Sequence, residues 1–182
     1  IHRFRNRAIT DIYEPGSTMK PLTVLTALEF GSVKKDSIVD TYPGWMRLGG
    51  SRVSDPRYLG KITLAELLVH SSNMGTTKLA LSVPKDYLID KFSEETGTGL
   101  VGESSGMMHD RARWSKFELA TLSWGHGVAI TPIQLARFYT ILANGGIKTP
   151  LTILKQDPSL QAKKKHERIF SAEQSQNVVE ML

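Results

Sequence analysis

The sequence contains no cysteine. That excludes disulfides, thiolate metal sites and a cysteine nucleophile, and it selects no compartment. No apolar run approaches the roughly 20 residues that a membrane-spanning helix needs, and no signal peptide opens the chain. The five histidines, at positions 2, 70, 109, 126 and 166, show no metal-ligand spacing. Carboxylates are scattered, with no pair spaced for glycosidase chemistry. Gly97-Thr98-Gly99 lacks the lysine of a phosphate loop. Internal repeats and low-complexity linkers are also missing.

What remains is an ordinary globular composition. Hydrophobic residues make up 40% and charged residues 23% of 182, enough for one domain with a real core. The net charge is +5, and the basic residues cluster only at Lys163, Lys164, Lys165, His166 and Arg168. No aromatic residues are interleaved there for base stacking, so this run reads as a solvated loop with no nucleic-acid partner. The chain opens without Met, at Ile1-His2-Arg3-Phe4, and stops inside an apolar pattern at Val178-Val179-Glu180-Met181-Leu182. Both ends read as cut, which places any anchor or export signal elsewhere.

Several helices are legible. Glu14-Pro15-Gly16 is a turn signal. Met19, Leu22, Leu25, Leu28 and Glu29 then recur at helical steps from Thr18 to Phe30, with one apolar stripe. Pro21 falls in the first turn, where a missing N–H costs least, and Gly31 is a C-cap candidate. Gly44 to Gly60 reads as an irregular or short-hairpin excursion. Thr63 with Glu66 and Ser115 with Glu118 are capping boxes. The first opens a helix carrying Leu64, Leu67 and Leu68, which Ser71-Ser72-Asn73 interrupts because those residues favour caps and turns. A helix restarts there and runs through Leu79 and Leu81 to Pro84. The second box opens a short helix that ends at Gly125-His126-Gly127. Thr131-Pro132 opens another, closed by Asn144-Gly145-Gly146, and Ser171 caps the last. Strand signals are sparse, with one short strand expected between Ile147 and Lys155.

Chemistry concentrates in two places. Ser17-Thr18-Met19-Lys20 puts a hydroxyl and an amine three residues apart, on adjacent points of one helical face. A serine hydroxyl is a poor nucleophile until a base takes its proton, and a lysine neutralised by burial can serve. The helix N-terminus favours an oxyanion developing nearby. This spacing predicts a hydrogen bond between Ser17 Oγ and Lys20 Nζ. Ser71-Ser72-Asn73, at a break between helices, projects a hydroxyl and a carboxamide together: Ser71 to relay a proton to a leaving amine, Asn73 to hold the lysine and a substrate amide. Each motif alone fits a plain helix cap. His126, in a Gly-flanked loop, reads as structural.

The two motifs occur in the order S-x-x-K, then S-x-N, that serine acyltransferases of the cell wall share with β-lactamases. Ile9 to Pro21, with Glu14-Pro15-Gly16-Ser17-Thr18-Met19-Lys20, resembles the nucleophile segment of class B penicillin-binding proteins. His70-Ser71-Ser72-Asn73-Met74-Gly75 with Lys78-Leu79-Ala80 resembles their second motif. Gly99 to Gly106 and Val128 to Ala136 are similar to later segments of the septal branch of that family. The third motif, K-T-G, is absent; Lys148-Thr149-Pro150 is a decoy, with Pro in place of Gly.

The resemblance implies an α+β fold of the β-lactamase and penicillin-binding transpeptidase type. Residues 1–182 would form a partial domain, dominated by the helical lobe and cut before the K-T-G strand. It also implies D-Ala-D-Ala transpeptidation of peptidoglycan stem peptides at the septum, through an acyl-enzyme on Ser17, with Lys20, Ser71 and Asn73 as the other catalytic residues. β-Lactam antibiotics would acylate the same serine. No cofactor or metal is needed. The implied location is the periplasmic face of the bacterial inner membrane, among membrane proteins of the division complex, with the anchor outside this sequence. Two alternatives stay open: a related β-lactamase or D,D-carboxypeptidase, and a β-lactam sensor or non-catalytic division scaffold.

Overall fold

The computed structural model describes residues 5–94, 98–108, 110–152, 154–155, 157 and 166–182. Lys163, Lys164 and Lys165 of the basic run, together with His2, His109 and Gly97, lie outside the described residues. Helices dominate, joined by short strand pairs, so the architecture is α+β as expected. A short helix α1 (Arg7–Thr10) leads into a 3-10 turn at Gly16–Met19 and then α2 (Lys20–Phe30). Next come β1 (Ile38–Asp40), β2 (Trp45–Leu48), β3 (Ser51–Ser54) and β4 (Lys61–Thr63). Helices α3 (Leu64–Val69), α4 (Asn73–Leu81) and α5 (Lys85–Glu94) follow. The rest is β5 (Met107–Met108), α6 (Lys116–Ser123), β6 (Val128–Ala129), α7 (Pro132–Ala143), β7 (Ile147–Lys148), β8 (Glu167–Arg168) and α8 (Ala172–Val179). The strands pair antiparallel as β1–β4, β2–β3, β5–β6 and β7–β8.

Helix α2 is the centre of the molecule. Every residue from Lys20 to Leu28 is buried, and α3, α4, α5 and α8 pack around it. The expected single apolar stripe is therefore a helix buried on all sides. Of its buried threonines, Thr23 Oγ1 donates to the Ser123 carbonyl at 2.7 Å, whereas Thr26 Oγ1 has no partner among the described residues. Gly31 closes the helix in the left-handed region, φ 82°, with its N–H on the Ala27 and Leu28 carbonyls. The capping boxes at Thr63 and Ser115 both form, and Thr131 forms a further one with Gln134. Ser171 caps α8 and is itself held by Glu29 of α2, whose carboxylate accepts from the Ser171 N–H and hydroxyl.

Two expectations need correction. Helix α5 was not foreseen: Leu88, Ile89 and Phe92 are fully buried, but charged neighbours and its short length mask the period. The eight strands among the described residues also exceed the one expected. None is longer than four residues, too short for alternation to register in a sequence. The Gly44–Gly60 excursion does contain a hairpin, β2–β3, turning at Gly49-Gly50. Its inner face, Met46, Leu48 and Val53, joins Met74, Ala120, Phe117 and Trp124 in a second small core.

Because Leu25 is fully buried in α2 whereas Phe30 at its end is 44% exposed, truncation should separate them. Leu25→Ala is expected to cost about 2–5 kcal/mol and Phe30→Ala under about 1 kcal/mol, read from urea unfolding midpoints.

Candidate functional site

The segment Glu14-Pro15-Gly16 enters the 3-10 turn that carries Ser17, and the turn is clamped from several directions. Tyr13 exchanges backbone hydrogen bonds with Ile130 in both directions at 3.0 Å. The Gly16 N–H donates to the Gly125 carbonyl at 3.0 Å. A Cβ at Gly125 would lie 2.1 Å from the Gly16 carbonyl oxygen, so only glycine permits this approach. The Glu14 carboxylate accepts from the Gly127 N–H at 2.8 Å and bonds His126 Nδ1 at 3.0 Å. The Gly127 N–H, and after it His126, hold the Glu14 carboxyl below its ordinary range. His126 thus anchors the turn through Glu14. From the other side, Thr18 Oγ1 donates to the Pro15 carbonyl at 2.7 Å and the Tyr139 hydroxyl to the Thr18 carbonyl at 2.8 Å. Ser17 itself is exposed. It stands where the N-terminal end of α2 presents its partial positive charge.

Lys20, the first residue of α2, is 1% exposed. Its ammonium donates to the Ser71 carbonyl, to Ser71 Oγ at 2.7 Å and to Asn73 Oδ1 at 2.8 Å. Three acceptors match the three protons of the charged form. Burial nevertheless pushes the Lys20 pKa down from 10.5 to about 8, with the Asp55 charge opposing. When the amine gives up a proton, the Ser71 hydroxyl is placed to reverse its role and donate to the nitrogen lone pair. The pocket therefore serves both protonation states.

The triplet at 71–73 divides its work. Ser71 takes φ 52°, a conformation that costs a non-glycine residue energy and recurs at functional sites. That twist turns both its carbonyl and its hydroxyl onto Lys20. Asn73 begins α4 and faces the same amine. Ser72 points elsewhere. It is fully buried, caps α4 by accepting from the Gly75 N–H, and donates to Asp55 Oδ2 at 2.7 Å. Asp55 Oδ1 also accepts from the Met74 N–H at 3.0 Å. Asp55 thus holds the first turn of α4 from outside while Lys20 draws on it from inside.

Of the four residues read from the sequence, Lys20 is directly bonded to Ser71 and Asn73, and Ser17 lies on the 3-10 turn that leads into Lys20. The direct bond between Ser17 and Lys20 does not form: among the described residues Ser17 Oγ has no partner. Ser17 sits in a 3-10 turn at the rim, whereas Lys20 is drawn inward by three oxygens of the second motif. Asp55, Tyr139 and Gly125 were missed. Each acts through a contact between distant segments, and only Gly125, in a Gly-flanked loop, gave a local signal. Lys148 of the decoy lies on β7 opposite Glu167 of β8.

Comparison with known proteins gives the family and the fold. The family model described as the penicillin binding protein transpeptidase domain matches residues 2–182. Peptidoglycan D,D-transpeptidase FtsI of Escherichia coli K12 is 43% identical over 183 residues, covering 98% of this chain and 30% of that protein. The probable peptidoglycan D,D-transpeptidase PenA of Neisseria gonorrhoeae is 34% identical over 180 residues, covering 96% and 30%. Among solved structures, the TP domain of penicillin-binding protein 3 from Burkholderia pseudomallei superimposes with a TM-score of 0.89 at 34% identity, covering 98% of this chain and 55% of that one. A peptidoglycan glycosyltransferase structure from Burkholderia ambifaria gives 0.91 at 33% identity, covering 98% and 58%. The fold is therefore the penicillin-binding transpeptidase fold, and the chain spans 30% of the length of these two curated relatives.

Two measurements probe the pocket. The folded value for Lys20, about 8, lies below the unfolded 10.5, so the unfolded state holds more protons between them. Stability is therefore expected to rise with pH across that window. The rise should vanish in Lys20→Met, read as the difference between urea midpoints of the two proteins at each pH. Asp55→Asn leaves Ser72 with a weaker, uncharged acceptor and should cost about 1–3 kcal/mol in the same assay.

Proposed function

The chain belongs to the penicillin-binding protein transpeptidase family, and from that premise we propose that it carries the nucleophile and base of a D-Ala-D-Ala transpeptidase. One observation supports this reading above the others: a lysine amine, buried and lowered to about 8, bonded to Ser71 and Asn73 one turn from an exposed serine.

The reaction is acyl transfer. Neutral Lys20 accepts the Ser17 proton as Ser17 Oγ attacks the penultimate D-alanine carbonyl of a stem peptide. The Ser17 N–H, at the positive end of the turn, stabilises the oxyanion. The C–N bond to the terminal D-alanine breaks, and its nitrogen takes a proton passed from Lys20 through Ser71. An ester on Ser17 remains. An amine of a neighbouring stem peptide then attacks that ester, loses a proton to the same relay, and releases Ser17 as the crosslink forms. Asn73 holds the amine and receives the substrate amide. A β-lactam follows the first half only: its ring amide is the bond cleaved, and the acyl group stays on Ser17. Tuning a lysine by burial suits this work, because a base near the working pH gives the best balance of protonation and driving force.

The same reading completes the site with a K-T-G strand that this sequence does not contain, making residues 1–182 a partial transpeptidase domain. It assigns the chain to septal wall synthesis at the periplasmic face of the inner membrane, beside membrane proteins of the division complex. Relatives named FtsI support that assignment. Among the described residues no helix is long and apolar enough to cross a membrane, so the anchor would belong to another part of the protein.

Labelling with a fluorescent penicillin tests the proposal. The complete protein should be labelled in a manner that rises with pH through about 8. Ser17→Ala should abolish labelling, and Lys20→Met should slow it by roughly 10²–10⁴. Residues 1–182 alone should label far more slowly than the complete protein. Undiminished labelling of Ser17→Ala would remove the nucleophile from the scheme.

A further inference from the structure

The outer face of the β2–β3 hairpin is built unlike an idle surface. Its inner face packs on α4 and α6 through Met46, Leu48 and Val53, so the outer side chains stand on a fixed support. Arg47 and Arg52 lie directly opposite each other across the two strands, and both are exposed. Like charges in that register repel and destabilise a hairpin. Nothing nearby neutralises them: among the described residues Arg47, Arg52 and Arg57 form no ion pair. The one acid between Trp45 and Tyr58 is Asp55, whose carboxylate is already taken by Ser72 and Met74.

Aromatic rings accompany the charge. Trp45 is 42% exposed, with the Arg52 guanidinium 5.0 Å from its ring centre. Tyr42 and Tyr58 are 68% and 63% exposed, set edge to face at 6.4 Å, and Tyr58 covers Gly44 beside Trp45. Three exposed rings with three guanidinium groups that have no carboxylate partner among the described residues suit a ligand that presents both flat C–H faces and carboxylates. The surface is also tied to the site. The Asp55 N–H donates to the Gly44 carbonyl, its carboxylate holds Ser72, and Arg57 donates to His70 Nδ1 at 2.9 Å, one residue before Ser71.

We propose that this face is a docking surface for an anionic glycan–peptide strand: sugar faces rest on Trp45, Tyr42 and Tyr58, and carboxylates of its peptide branches pair with Arg47, Arg52 and Arg57. This rests on the transpeptidase reading and names what that site takes beyond the reacting peptide. A sugar polymer fits better than a lipid surface, because the large hydrophobic side chains exposed between residues 42 and 58 are all aromatic, with arginines among them and no large aliphatic one.

The test uses the complete protein in a Ser17→Ala background, so that no turnover consumes the probe. Three probes are compared: soluble peptidoglycan strands bearing pentapeptide stems, the free pentapeptide, and vesicles rich in phosphatidylglycerol. The parent should bind strands more tightly than free pentapeptide. Arg47→Glu with Arg52→Glu should weaken strand binding by about tenfold and leave pentapeptide binding unchanged, with Arg47→Gln/Arg52→Gln and Trp45→Ala intermediate. With Ser17 restored, all variants should keep penicillin labelling, which also reports that they fold. Unchanged strand affinity in the Glu and Gln pairs overturns the proposal, as does a loss confined to vesicles. Failure of the Ser17-containing parent to label, with strand binding still dependent on the arginines, would instead sink the catalytic reading and leave the surface standing.

Discussion

The structure turns on one buried amine. Taking Lys20 out of water disfavours its charged form, and only oxygens held at fixed points make the burial tolerable. Ser71 supplies two of them and Asn73 the third. To supply both its carbonyl and its hydroxyl, Ser71 must accept a backbone conformation that side chains ordinarily avoid. That conformation persists because both flanks are secured. Helix α3 ends just before it, and Ser72, bonded to Asp55 and Gly75, starts α4 just after it.

Rigid elements carry the rest of the requirement. Lys20 stands on α2, which is packed on every side. Ser17, although exposed, is placed by a turn whose anchors lie far along the chain, at Gly125, Gly127, Ile130 and Tyr139. The nucleophile turn therefore exists only once the segments around α6 and α7 have docked. A reactive serine on an isolated loop would sample many orientations. Here contacts to five distant residues, His126 among them, limit it, which is the kind of preorganisation that acyl transfer rewards.

How much of this was legible depends on the range of the signal. The caps at Thr63, Ser115, Thr131 and Ser171, the Gly31 stop and the break at 71–73 are local, written within four residues, and all are present. Helix α5 escaped because its apolar residues are few and set among charges. The paired strands escaped because two- to four-residue segments carry no usable period. At the site, motif order pointed to the pairing of Lys20 with Ser71 and Asn73 that the structure contains. Spacing alone pointed Lys20 at Ser17, and the pocket instead turns it toward the second motif. Asp55 could not be found at all from sequence, because its partner Ser72 is specified by a fold rather than by a neighbour.

Gly125 carries a consequence for inheritance. Every other amino acid the genetic code offers has a Cβ, and at this position that atom would overlap the backbone of Gly16. No codon change that alters the residue is silent in space: each one forces the Gly16 turn to shift. A change at the flanking Trp124 or His126 removes one side-chain contact, to the second small core or to Glu14, whereas a change at Gly125 must move backbone.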